Sequence, residues 1–390
     1  MASNNNLKKN HVKFAGSWFE LDDFVKRHPG GQCLIQVFDG RDVTNAFRSY
    51  HPQFSDGVLH SVLRRVKDED TSSVGAKVVE PIKKTPSDEV ETQTNRKHTH
   101  SVDYRDLQNE VLQALGGVRN SKGTTGFFIK AFAIFSLNVV LETSTWAYGF
   151  TLGRAILLGL TVTLIGFNIM HDANHGAVSF NPNENYYLEL TGDWVGFSST
   201  YWKHHHNALH HLHTNAEDDP DVRQNPYLRL HPKDERNIIN RLQHFYIWPL
   251  LALIRFRGML SETLELAFGY GNENADHQFS EATKIARHFS IFLKALYFLR
   301  FIILPLVFVP EWNTALCIAV SIAVQSFYYG CIAVLSHNTI DVKLYPSNGY
   351  DENSFMASQV EGSSNWGGGD WFFLCFSGGL NCEYNCLLCC

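Results

Sequence analysis

The chain has no excess of basic residues, no cysteine framework and no histidine after His337, and each absence narrows what it can do. Its 390 residues carry a formal net charge of -6, so the footprint of a nucleic-acid-binding protein is missing and no nucleic acid is expected as a partner. Only Cys33, Cys317, Cys331 and Cys375 precede the last nine residues. Their scatter is unlike a disulfide scaffold and fits a reducing compartment. Met1 to Asn10 is polar with no apolar core, so no secretory leader is expected and the N-terminus is expected in the cytosol.

Two histidine clusters stand out against that background: His171-Asp-Ala-Asn-His175 and His206-Asn-Ala-Leu-His210-His211. Neutral imidazole is the commonest ligand for transition metals. His171 and His175 are four residues apart, as are His206 and His210, so on a helix each pair shares a face and can converge on one ion. A single HxxxH is weak evidence and His204-His205-His206 could be a solvated patch. Two clusters flanking one short amphipathic stretch favour metal. His204, His205 and His213 are surplus, expected beside the ligands or exposed. Asp172, Asn174 and Asn207 read equally well as hydrogen-bond partners of ligand imidazoles or as helix caps.

Hydrophobic residues make up 44% of the chain but are unevenly placed. Residues 1–125 are polar, while 127–170 and 289–336 are strongly apolar, which suggests a soluble head on a membrane body. A spanning helix needs about 20 apolar residues, since roughly 30 Å is crossed at about 1.5 Å per residue. Residues 127–148 and 152–170 fit as one hairpin, with Trp146 and Tyr148 at the far interface. Residues 289–309 and 312–335 fit as a second, turned at Pro310-Glu311. Lys294 is expected to snorkel to the near side, and Arg300 to face protein or bent lipid. Residues 245–254, too short and interrupted by Pro249, are expected to lie in the interface. Four crossings return His171, His206, His210, His211 and the Ser336-His337-Asn338 segment to the face on which the head sits. Lys122, Lys130, Lys203, Arg255, Arg257, Lys284 and Arg287 are expected on that same, cytosolic side.

Residues 11–80 read as an independent domain, and 81–100, with Pro81, Pro86 and a charged Thr-rich run, as a tether holding it at high effective concentration over the body at 101–390. Within the head, His28-Pro29-Gly30-Gly31 is followed by Asp42-Val43-Thr44, Phe47 and His51-Pro52. Here the chain resembles cytochrome b5 over most of residues 11–75. By that resemblance His28 and His51 are the two axial ligands of a heme b, aimed by the tight turn at Pro29 and the glycines. Two nitrogen ligands leave no open position, so such a heme passes electrons. Asp22, Asp23, Asp39 and Asp42 could form an acidic face for a basic reductase, or simply be solvated.

With a heme head, four crossings and HxxxH followed by HxxxHH, nearly the whole chain resembles the membrane fatty acyl desaturases, in particular the front-end subgroup with a fused N-terminal cytochrome b5 domain. The resemblance implies a small α+β cytochrome b5-like heme domain followed by an all-α membrane domain with four transmembrane helices and a cytosolic histidine-rich cap. It implies two non-heme iron ions held by His171, His175, His206, His210 and His211, with His337 as an additional ligand. O2 would be the co-substrate, and electrons would come from NAD(P)H through a cytochrome b5 reductase and the heme. The substrate would be a polyunsaturated fatty acyl-CoA or phospholipid acyl chain in the bilayer, and the location the endoplasmic reticulum membrane. The chemistry agrees: an unactivated C–H bond requires oxygen activated at a redox metal, and imidazole suits iron. The Glu and Glu-x-x-His ligands of carboxylate-bridged di-iron bundles are missing here. A sphingolipid desaturase or lipid hydroxylase would share the histidine logic.

The family carries a third box, a glutamine then two adjacent histidines. Gln359, Trp366 and Ser377-Gly378-Gly379-Leu380-Asn381 resemble its lead-in, but Cys382-Glu383-Tyr384-Asn385-Cys386-Leu387-Leu388-Cys389-Cys390 follows. A splice variant, a frameshift or a truncated gene model would each produce this ending. Ligands for at least one iron are then expected to be missing. Turnover would be impaired, or the chain would serve as a membrane-tethered heme electron carrier or partner subunit. Cys382, Cys386 and Cys389 have the spacing of radical iron–sulfur enzymes, yet no barrel follows to hold such a cluster, and accidental cysteines are the plainer reading. Zinc binding or acylation has no other support.

Overall fold

The computed structural model describes residues 11–25, 28, 42–51, 64–65, 104–211, 214–216, 219, 221, 228–230, 235–268, 284–339, 342–345 and 355–380. Cys33, Asp39, the 81–100 tether, His213 and the cysteines after Leu380 lie outside these residues. The head is a three-stranded antiparallel sheet, β1 (His11–Phe14), β2 (Ser17–Glu20) and β3 (Arg64–Arg65), with helix α1 (Thr44–Tyr50). Alternation along the strands turns Val12, Phe14 and Phe19 inward against Leu21, Val25 and Val43, and Phe24 and Phe47 close over them. Asp42, one of the carboxylates with two readings, accepts from the Thr44 N–H at 3.1 Å and its hydroxyl at 2.6 Å, and pairs with Lys13 at 3.4 Å. Helix α1 begins two residues on and ends just before His51.

Helix α2 (Tyr104–Ala114) joins head to body. Tyr104 is buried against Ala46, with Tyr50 and Leu107 packed around them. In the body, α3 (Thr125–Tyr148) and α4 (Leu152–Ile165) form the first apolar hairpin. Thr124 and Thr151 accept from the N–H groups of Phe127 and Arg154 and so cap the two helices. Helix α5 (Pro182–Trp194), capped by Asn181, packs beside the continuation of α4. Then come α6 (Gln243–Phe268), α7 (Lys284–Phe298) and α8 (Trp312–His337). Four helical stretches are long and apolar enough to cross a membrane: Val118–Tyr148, Leu152–Asn174, Ile285–Phe308 and Trp312–His337. They coincide with the two hairpins expected. Phe132, Val140, Phe292, Val307 and Trp312 remain outward, as lipid-facing residues do.

Two expectations are corrected, the length of the segment at 245–254 and the snorkelling of Lys294. Residues 245–254 are not an isolated short segment but the first half of the 26-residue α6, which carries Pro249 inside and packs along α8. The two arginines that end the apolar run do not end the helix, because Arg255 turns inward. Arg255 is buried, pairs with Glu262 one helical face along, and stacks 4.0 Å above the Phe197 ring. Lys294 does not snorkel: it is 1% exposed and bonds Glu262 at 2.5 Å and the Gly196 carbonyl at 2.8 Å. The Arg255 guanidinium donates to that same carbonyl at 3.0 Å. Two cations thus converge on one carboxylate and one carbonyl beneath residues 195–199. Arg287 is buried as well.

Arg300 does face protein. It pairs with Glu142 of α3 at 2.6 Å and lies 3.6 Å over the Trp194 ring. It sits in a π-helical turn, Leu299–Ile303, that continues α7 into Leu304–Phe308.

Candidate metal centre

The first histidine cluster follows a widened turn and the second lies within one. Helix α4 runs into a π-helical segment, Gly166–Met170, whose end is closed by the His171 N–H on the Gly166 carbonyl, and His171–Asn174 follows. The second cluster lies in a π-helical segment, Lys203–His210, closed by the His211 N–H on the His206 carbonyl. Such i→i+5 bonding takes between four and five residues per turn and recurs at functional sites. Residues i+4 and i+5 then flank residue i almost equally. His206 accordingly has both His210 and His211 as neighbours, with ring centroids 5.1 and 4.7 Å away. An α-helix reading explains His206 with His210 but leaves His211 to one side.

The three segments meet. His171 lies 4.5 Å from His175 and 5.4 Å from His206, and His175 lies 4.9 Å from His211, all between ring centroids. His337, at the C-terminal end of α8, closes the group: its Nε2 is 3.2 Å from Nε2 of His210. All six histidines expected as metal ligands are therefore in one cluster. One nitrogen each from His171, His175 and His206 fall within 4.8 Å of one another, and so do atoms of His206, His210 and Asp221. Burial, and behind it the neighbouring imidazoles, hold His175, His206 and His211 well below the ordinary histidine pKa. Burial pushes His204 down to about 4. A crowd of neutral imidazoles is what a metal needs.

Aspartates not singled out from the sequence complete the cluster. Both oxygens of buried Asp219 accept from Nδ1 of His210 at 3.0 Å, and they also accept the N–H groups of Asn215 and Asp221 at 2.8 Å. The proton is thereby fixed on Nδ1, and the Nε2 lone pair points at His337. Asp221 Oδ1 lies 3.1 Å from Nε2 of His205, whose Nδ1 meets the Tyr201 hydroxyl at 2.9 Å. Burial opposes the charge on Asp221, yet the His205 imidazole holds its carboxyl below the usual range. The sequence signal was available: three aspartates, Asp218, Asp219 and Asp221, follow the histidine box within ten residues. Asn215 donates to the His337 carbonyl at 2.9 Å, and the Gly362 carbonyl lies 3.3 Å from His337 Nδ1.

Of the three side chains with two readings, Asp172 reaches a candidate ligand: its Oδ1 is 3.3 Å from His171 Nδ1. Asn207 bonds the Asn174 carbonyl at 2.9 Å and ties the two histidine segments together. Asn174 contacts Met170 Sδ and neither caps a helix nor touches an imidazole. His205, one of the surplus histidines, bonds Asp221 beside the candidate ligands. The segment leading toward the altered end also comes here. Gly378 has φ +70°, and a Cβ there would strike the Phe167 carbonyl, so only glycine fits. Leu380 is buried with Phe167, Tyr328 and Ile332, four residues before His171.

Two observations test whether metal fits. The Nε2 atoms of His171, His206 and His211 are buried with no hydrogen-bond partner among the described residues, a costly arrangement unless a cation occupies the space between them. In the head, the His28 and His51 rings are 6.1 Å apart. A midpoint about 3 Å from each centroid suits an imidazole nitrogen bonded to iron at about 2 Å. His51 Nδ1 is 3.1 Å from the Phe47 carbonyl, leaving Nε2 for the iron. The residues present fit both groups.

The chain matches the family model described as fatty acid desaturase over residues 144–385, more than half its length. The chain belongs to the fatty acid desaturase family. A cytochrome b5-like heme/steroid binding domain matches residues 2–67. An acyl-lipid (7-3)-desaturase of Rebecca salina is 32% identical, covering 94% of this chain and 77% of the relative. A protein of the same description from Diacronema lutheri is 32% identical over 93% of this chain and 76% of its own. An acyl-lipid (8-3)-desaturase of Mortierella alpina is 24% identical over 98% and 83%. This desaturase is thus an oxidoreductase of the front-end type, a multi-pass membrane protein with a fused cytochrome b5 domain as electron donor.

Proposed function

We propose that His171, His175, His206, His210, His211 and His337 hold two iron ions, and that the desaturase uses them to introduce a double bond into a polyunsaturated acyl chain on the carboxyl side of an existing one. The convergence of imidazoles from three distant segments carries this reading. When bound, the irons supply the oxygen-activating redox chemistry that an unactivated methylene requires. The protein's own contribution is positional. Asp219 sets the tautomer of His210, Asp172 steadies His171, and Asn215 and Gly362 fix His337. The Trp202 ring, 4.5 Å from His206, shields one side of the cluster.

In the head, His28 and His51 are proposed to grip heme b, reduced by a cytochrome b5 reductase at the expense of NAD(P)H. The names of the relatives specify acyl lipids, and on that ground the acyl carrier is taken as a membrane lipid rather than coenzyme A. The histidine face and the head are placed on the cytosolic side of the endoplasmic reticulum membrane, since even numbers of crossings separate them. Residues 11–80 are taken as the heme domain, 81–100 as the tether and 101–390 as the desaturase domain.

Expression in a host lacking polyunsaturated lipids, followed by mass spectrometry of the lipids, tests the reading. A new double bond on the carboxyl side of an existing one is expected. Hydroxylated or sphingoid products would reassign the reaction. No product, with heme retained and no non-heme iron, would leave a tethered electron carrier.

A further inference from the structure

We infer that helix α9 (Phe355–Glu361) is the seat on which the heme head is held, and that heme electrons enter the body there, on the side of His210 and His337. The seat is read from packing within this chain, while the electron's destination rests on the di-iron reading above. Helix α1, which ends just before His51, packs on two elements of the body, α2 and α9. Its contact with α2 buries a face that the head does not bury by itself. Ala46 is 3% exposed and groups with Tyr104, not with the residues of the head's own core. Tyr50 and Leu107 pack around that pair, and Asn45 Oδ1 accepts the Tyr104 N–H, 59 positions away, at 3.4 Å. A head that swung freely on its tether would leave this face in water. Burial of apolar surface opposes that.

From its other side α9 reaches the histidine cluster. Ser358 and Gln359 are buried. The Thr214 hydroxyl lies 3.2 Å from Gln359 Oε1 and 3.2 Å from the His210 carbonyl. Gly362 follows α9 directly. Its N–H donates to the Ser358 carbonyl at 2.8 Å, and its own carbonyl lies 3.3 Å from His337 Nδ1. A Cβ at Gly362 would stand 2.7 Å from the Ser358 carbonyl oxygen and 2.9 Å from that of Thr214, so the close approach requires glycine. The Ser364 N–H donates to the Ser336 carbonyl at 2.8 Å, which pins the same segment to the end of α8. Helix α9 is thus packed between the helix that leads to one heme-side histidine and the backbone or ring of two metal-side ones. The transfer it serves moves one electron: the heme iron goes from ferrous to ferric, a non-heme iron goes from ferric to ferrous, and no bond is made or broken.

The test is hydrogen–deuterium exchange of residues 355–361 and 104–114 in full-length, heme-loaded protein, paired with anaerobic reoxidation of the reduced heme by the body, followed at the heme absorption band. Ala46→Glu puts a charge into the buried contact. It is expected to speed exchange in both segments by at least about tenfold, and to slow heme reoxidation as the docked population falls, with the heme spectrum unchanged. Tyr104→Ala, which leaves the head's own sequence intact, is expected to do the same, and Ala46→Ser to keep wild-type behaviour. Faster exchange at 104–114 alone, with 355–361 unchanged, overturns the seat. Loosening of 355–361 with an unchanged rate of heme reoxidation overturns the point of electron entry. Loss of wild-type protection in about 1 M salt, where exposed charges are screened, also overturns the seat, because the contact would then be a passing electrostatic encounter. A wild type without non-heme iron removes the electron's acceptor, and metal analysis of the same preparation separates that failure from failure of the seat.

Discussion

The head and the body both gather histidines, but in opposite ways. In the head, His28 and His51 face one another as a pair across 6.1 Å. In the body, six histidines crowd within touching distance, His171 to His175 and His210 to His337 each at 4.5 Å between ring centroids. Two histidines across a gap would hold a heme iron suited to exchanging electrons. A crowd of neutral imidazoles would hold the proposed irons, which would supply oxygen-activating chemistry. The contrast also shows in what backs each histidine. His51 rests on a backbone carbonyl and the stacked Phe47 ring, whereas His210 and His171 rest on carboxylates.

The sharpest break in this comparison is His206→Ala. His206 borders both candidate metal groups, so its removal is expected to abolish non-heme iron binding and desaturation while the heme absorption stays intact. His28→Ala should do the reverse: the heme spectrum disappears and non-heme iron remains, as optical spectra and metal analysis of one preparation will show. Lys294→Ala leaves Glu262 partly uncompensated in a buried site and is expected to lower the unfolding free energy of the body by about 3–5 kcal/mol. Thermal unfolding in detergent, followed separately from loss of heme, checks that the head is spared. Asp219→Asn should weaken metal binding by about 10–100-fold without unfolding either region. A metal titration monitored by Co2+ absorption reads it directly.

The smallest effect expected is on pH. His175, His206 and His211 have folded pKa values depressed by burial, so the unfolded chain binds more protons as pH falls below about 6.5. Their contribution to stability is complete above that value and is lost progressively toward the lower folded pKa values. Metal-stripped protein should therefore melt at lower temperature on acidification from pH 7 to 5. Metal-loaded protein resists longer, because the ion competes with the proton.

The parts of this molecule legible in its sequence are those governed by local pattern. HPGG with a second histidine, the two apolar hairpins and the four-residue histidine spacings all rest on contacts or periods within a few residues. What escaped required partners distant in sequence. Lys294 reads as a snorkelling cation until Glu262, 32 positions earlier on α6, is brought against it. Arg255 and Arg257 make α6 look short, because hydropathy does not register that Arg255 is neutralised inside. The roles of Asp219 and Asp221 depend on a turn that folds the chain back onto His210. The neighbourhood of His206 with both His210 and His211 follows from a π-helical turn, which composition does not announce.

The account depends most directly on how much iron the full-length protein carries outside its porphyrin. Metal analysis of the purified chain, set against heme by absorbance, is expected to give three irons for each heme, two of them released by chelation and one retained. A ratio of one iron per heme, in protein whose helices and heme spectrum are intact, would contradict it.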